Sequence, residues 1–112
     1  MNLQERAKQL QASSVLMDNR EKGEIKDLLN LNLTIINYDF MSGDDGEYSI
    51  IHLAEENNLF FFGGSVITEI LQQLDKEGYY DQIKKEGLPV KFTSVKSKNN
   101  RYYTKAELYP EN

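Results

Sequence analysis

Cysteine is absent from the 112 residues, which excludes disulfides, thiolate metal sites and thiol nucleophiles together. Tryptophan is absent as well, so the aromatic complement is seven Tyr and five Phe, weighted toward rings with a polar end. No apolar run approaches the roughly 18 residues of a membrane span. Residues 1–16 carry Glu5, Arg6 and Lys8 where a secretory leader would need an apolar centre. A cytoplasmic protein with no membrane partner is expected.

Signs of catalysis or of a resident metal or cofactor are also wanting. His52 is the one histidine, and beside Glu55 and Glu56 it gives no recognised zinc spacing. In the turn Asp44-Asp45-Gly46-Glu47, placing Gly46 at the sixth position of a calcium loop puts Met41 and Gly43 where acids are required. Gly63-Gly64-Ser65 lacks the lysine of a phosphate-binding loop. No Ser/His/Asp arrangement emerges either, so the chain is expected not to be an enzyme.

What is present suits one small folded domain: 39% apolar residues on a length that supports a single core. The formal charge of −5 opposes binding to nucleic acid, but its distribution is uneven. Residues 88–109 hold Lys91, Lys96, Lys98, Arg101 and Lys105 against Glu107 alone, a net +4, which leaves −9 on the remainder. A basic segment on an acidic body offers a local track for phosphates.

Along the chain, Leu3, Ala7 and Leu10 predict a short amphipathic helix over residues 3–12, and residues 13–23 read as a polar linker. One helical turn over 24–30 leads into β patterning. Residues 31–40, 47–54 and 59–62 are rich in β-branched and aromatic side chains and separated by turn-forming clusters. Ser65 suits a helix N-cap, and Ile67, Ile70, Leu71 and Leu74 mark the buried face of a helix ending near Gly78, with a further turn or two over 79–86. Residues 88–96 and 101–109 then form a hairpin around Ser97-Lys98-Asn99-Asn100. The expected class is mainly β with one or two helices: a five-stranded OB-fold barrel (β-β-β-α-β-β) over 26–110, preceded by a helical and loop extension over 1–25.

The stretch from Lys26 to Tyr109 resembles the small OB-fold single-stranded-DNA-binding proteins of phages and mobile elements of Gram-positive bacteria. The resemblance lies in Leu33-Thr34-Ile35-Ile36-Asn37-Tyr38-Asp39-Phe40 before an acidic glycine turn, Gly46-Glu47-Tyr48, Phe60-Phe61-Phe62-Gly63-Gly64, and Lys96-Ser97-Lys98-Asn99-Asn100-Arg101-Tyr102-Tyr103. It implies sequence-tolerant binding of single-stranded DNA, with RNA as the other candidate strand, in replication or recombination. Possible partners under that resemblance are further copies of the chain and replication or recombination proteins.

Such binding needs ring faces for bases and cations along the backbone. If Tyr102, Thr104, Ala106 and Leu108 face the interior, Tyr103, Lys105, Glu107 and Tyr109 face outward, as Lys91 and Thr93 do on the preceding strand while Val90 and Phe92 turn in. The candidate contacts are Tyr103 with Lys91, Lys96, Lys98, Arg101 and Lys105, joined by Tyr38 and Phe61. Three successive phenylalanines cannot all lie on one side of a strand, and Phe61 is taken as the ring that reaches a ligand. The competing reading is a small β-barrel that binds a protein, such as an inhibitor encoded by a mobile element, whose acidic turns imitate nucleic acid toward a basic partner.

Overall fold

The computed structural model describes Leu3 and residues 15–17, 19–44 and 46–110. The helix expected over 3–12 lies outside the described residues except for Leu3. The remainder is mainly β with two helices. Strands β1 (Glu21–Lys22), β2 (Asn32–Gly43), β3 (Gly46–Leu53), β4 (Leu59–Gly63), β5 (Leu88–Lys96) and β6 (Tyr102–Leu108) form one open mixed sheet in the order β1-β4-β3-β2-β5-β6. Helices α1 (Ser65–Lys76) and α2 (Tyr80–Glu86) connect β4 to β5. No helix among the described residues is long and apolar enough to cross a membrane.

The expected closed five-stranded barrel does not form. Closure would need a partner for the outer edge of β4, and that edge is taken by β1, which runs parallel to it with Glu21 opposite Leu59 and Lys22 opposite Phe60. The strand comes from residues that read as a linker, because two residues carry no detectable alternation. Just before it, a one-turn 3-10 helix (Val15–Met17) buries Leu16 against Ile50 and Phe60, so residues 15–25 belong to the packed structure where they are described.

The main core lies between the sheet and the helices: Leu33, Ile35, Ile51, Leu53 and Phe61 meet Ile67 and Leu71 of α1, Ile83 of α2, and Val90 and Phe92 of β5. Helix α1 packs on β3, β4 and β6, and it turns in the apolar spacing that predicts it. Its N-cap is Gly64, with Ser65 as the first helical residue and no side-chain cap, so the expected cap is displaced by one position. The helix stops at Gly78, whose φ of 89° suits glycine. There the Gly78 N–H donates to the Asp75 carbonyl and the Tyr79 N–H to the Leu74 carbonyl, the paired bonds of a Schellman ending.

Close contact between α1 and the sheet depends on Gly63. A Cβ there would run into Ser49 Oγ and Ile67 Cγ2, and those neighbours are held in place by a buried hydroxyl pair, Ser49 Oγ to Thr68 Oγ1 at 2.7 Å. The Ser49 N–H also donates to Thr68 Oγ1, at 3.1 Å. Polar groups at this depth are tolerated because they satisfy one another.

Candidate functional site

Two of the expected ligand contacts are core residues. In β2 the pairing with β3 shifts register between Ile35 and Asn37, so Ile36 is an extra residue. Strict alternation from Leu33 and Ile35 would turn Tyr38 outward; the bulge turns it in, where it is 3% exposed. Its hydroxyl donates to Asp75 Oδ1 at 2.8 Å, and its ring meets Tyr80 edge-on at 5.2 Å. Burial first, then the hydrogen bond and charge of Asp75, hold the Tyr38 phenol well above its usual range. The Tyr80 hydroxyl donates to Asn37 Oδ1 at 3.0 Å, so this cluster ties β2 to both helices. Tyr38 is thus a structural ring, not a stacking platform.

Phe61, expected to reach a ligand, is likewise a core residue. It pairs with Ile51 and is 1% exposed in the main core, whereas Phe60 and Phe62 share the opposite face. Phe62 is the ring left partly open, at 36%, with Tyr48 at 5.5 Å, Phe60 at 5.7 Å and the Lys22 ammonium 5.0 Å from its centroid. The three phenylalanines do divide between the two faces of β4, with the middle one inward. Ile51 and Gly63 set that arrangement through their register with β4 and α1.

His52 is buried, and its Nε2 lies 2.7 Å from Asn57 Oδ1 across the turn between β3 and β4. That contact gives it a structural role. Among the described residues no group of three His, Asp or Glu is placed to hold a metal ion.

The remaining expected contacts lie on β5 and β6, and the geometry there follows from one difference in length. β5 pairs with β2 only from Leu88 to Lys91, because β2 starts at Asn32, yet β5 continues beside β6 to Lys96. The inward row of β5 records the same change: Leu88, Val90 and Phe92 are buried, and Ser94 and Lys96 are exposed. Beyond Phe92 the two strands are therefore a ribbon extending past the core, closed by a turn with Asn100 at φ 61°.

On one face of this ribbon, Tyr103 stands opposite Val95 and Lys105 opposite Thr93. On the other, Tyr102 stands opposite Lys96. Tyr103 is 46% exposed and Tyr102 71%, so both faces carry an open ring with a cation adjacent or two residues away. The outward parity expected from Thr104 to Tyr109 is present, but Tyr102 departs from it because no core lies beneath the end of the ribbon. Lys98 and Arg101 are exposed at the turn.

Lys91 differs from the other cations. It is half-buried at the base of the ribbon, flanked by Asn32 on β2 and by Glu107 on β6, so a carboxylate shares its surroundings. From Phe92 to Ala106 the chain contains four cations and no acid. Among the described residues the ion pair within 4.0 Å is Lys22 with Glu24, at 3.5 Å on the far side of the sheet, so the ribbon's cations have no carboxylate bound to them. The structure brings together Lys96, Lys98, Arg101, Tyr103 and Lys105, adds Tyr102, and separates Tyr38 and Phe61 from them. Tyr102 was discoverable from the sequence: the polar turn of the inward row at Ser94 and Lys96 marks where the core ends. No family model matches the chain, and neither does a curated protein or a solved structure.

Proposed function

We propose that this chain binds single-stranded DNA, without covalent chemistry and without strong sequence preference, on the ribbon formed by β5 and β6. One observation carries the reading: two exposed tyrosines and four cations occupy a projecting ribbon that contains no carboxylate from Phe92 to Ala106. Ring faces accept any base, and stacking on one is worth about 1–3 kcal/mol per base. The cations follow the phosphates, and binding releases the counterions condensed on them.

The neighbours of the sheet support an OB-like reading of the scaffold in an open form. Apart from β1, the order β4-β3-β2-β5-β6 has a Greek-key connection, with the helices between its third and fourth strands. In OB folds the loop joining the last two strands is one of the regions that contact oligonucleotides, and here that region is the basic ribbon. The resemblance described above adds the setting, replication or recombination of a phage or mobile element.

Fluorescence anisotropy with a labelled oligo-dT at low and moderate salt tests this. Saturable binding that weakens as salt rises is the expected result. Absence of binding at tens of micromolar protein in low salt would falsify the reading and leave a protein partner as the function to pursue. An equal titration with oligo-U distinguishes DNA from RNA.

A further inference from the structure

We infer that the outer edge of β6, from Tyr102 to Ala106, accepts an acidic peptide in extended form as an added strand. This concerns the edge of the ribbon and not its faces, and it does not rest on the nucleic-acid reading. The ladder shows which backbone groups are available. At its two ends the Ser97 N–H donates to the Arg101 carbonyl and the Tyr109 N–H to the Pro89 carbonyl, in the same register as the pairs between them. The odd-numbered residues of β6 therefore exchange hydrogen bonds with β5, and the N–H and C=O groups of Tyr102, Thr104 and Ala106 point away from it.

Natural sheets protect such an edge with proline, a bulge, a covering element or charge. Here the run from Tyr102 to Ala106 has no proline, its pairing with β5 is regular, and no other strand among the described residues lies beside it. Helix α1 packs on β6, and within this run Thr104 and Ala106 are partly buried while Tyr102, Tyr103 and Lys105 are exposed. The protection of the exposed part is positive charge, from Arg101 and Lys105 with Lys96 and Lys98 close by. That protection selects by sign. A second copy would set one ribbon of net +4 beside another, and a cationic or neutral strand gains nothing from it. An extended segment with carboxylates at alternate positions gains on both counts: its backbone satisfies the free edge, and its acids meet the row that includes Lys105.

The test uses the intact chain and three readouts. A fluorescent nine-residue peptide alternating Asp with Val or Thr should bind saturably. The same sequence N-methylated on the residues that face the edge has the same charge but cannot pair, and should bind at least about tenfold more weakly. Thr104→Pro removes an outward N–H that the ladder to β5 does not use, and should weaken peptide binding to a similar degree. Equal affinity for the two peptides would reduce the interaction to charge alone and overturn the inference, whatever Thr104→Pro does to the fold. Sedimentation showing a dimer that Thr104→Pro dissociates would assign the edge to a second copy and overturn it as well. Because oligo-dT binding is measured on the unaltered chain, failure of the nucleic-acid reading is scored separately.

Discussion

The body of the sheet and the projecting ribbon use the same kind of residue for opposite ends. In the body, Tyr38 and Phe61 lie under the helices, and the hydroxyl of Tyr38 is committed to Asp75. In the ribbon, Tyr102 and Tyr103 have open faces. Aromatic character alone does not separate the two pairs. What separates them is whether another layer lies above the ring: α1 and α2 cover Tyr38 and Phe61, whereas Tyr102 and Tyr103 stand beside the part of β5 where the inward row, at Ser94 and Lys96, is exposed. A ring under a layer contributes burial, whereas a ring without one is available to a ligand, so mutations in the two regions should move different measurements.

The largest expected effect is on the buried side. Phe61→Ala should destabilise the fold by about 3–5 kcal/mol in urea unfolding, through lost transfer energy and the cavity left behind. The folded fraction should keep its affinity for oligo-dT. Loss of affinity with little loss of stability would reverse the assignment of the two regions.

Next come the ribbon tyrosines. Tyr102→Ala and Tyr103→Ala should each weaken oligo-dT binding by about 1–3 kcal/mol while leaving the urea midpoint nearly unchanged. If Tyr103→Ala binds as the parent does and Tyr102→Ala does not, the strand follows only the face that carries Lys96. The cations of the turn should act differently. Replacing Lys98, Arg101 and Lys105 together with Gln should make the dependence of log K on log salt shallower by up to about 2, at roughly 0.7 for each phosphate contacted. Lys91→Gln, beside Glu107, should change that slope least. Parallel salt plots for parent and triple variant would show that the ribbon's charge does not meet the nucleic-acid backbone.

The smallest effect concerns the Tyr38 hydroxyl. Tyr38→Phe should cost about 1 kcal/mol at neutral pH, the usual worth of one hydrogen bond. Because the folded state raises the phenol above its ordinary 10.0, the native state holds the proton more tightly than the unfolded chain does. The hydroxyl's contribution is therefore complete below pH 10 and declines as the pH rises above it. Urea midpoints of parent and variant compared from pH 7 to 11 should converge at the alkaline end; a gap that widens there would contradict the bond to Asp75.

Much of this was legible in one dimension. The β patterning of residues 31–62 and 88–109, the apolar stripe of α1 and the polar hairpin turn are local signals, repeated at the period of the element they specify. The concentration of positive charge in the last hairpin is equally local, and it is why five of the expected contacts are found together. The misplaced residues share a different cause. Tyr38 was misplaced because a single extra residue, Ile36, reverses the alternation, and nothing in the composition of β2 marks it. Phe61 was misplaced because three identical residues have no phase until Ile51 pairs with one of them. Glu21 and Lys22 are too short a strand to show a period at all.

The sequence by itself determined the five longer strands and the helix after β4, which side of α1 is buried and where positive charge gathers, because each depends on the spacing of side chains along a few turns or residues. The tertiary structure alone decided that the sheet stays open, that Tyr38 and Phe61 face inward and that the ends of β5 and β6 extend past the core. Those outcomes depend on register and on which segment occupies an edge: β1 lies along β4, the bulge resets β2, and β2 begins too late to accompany β5 to its end. Such contacts join residues far apart in the chain, and no window along it contains them.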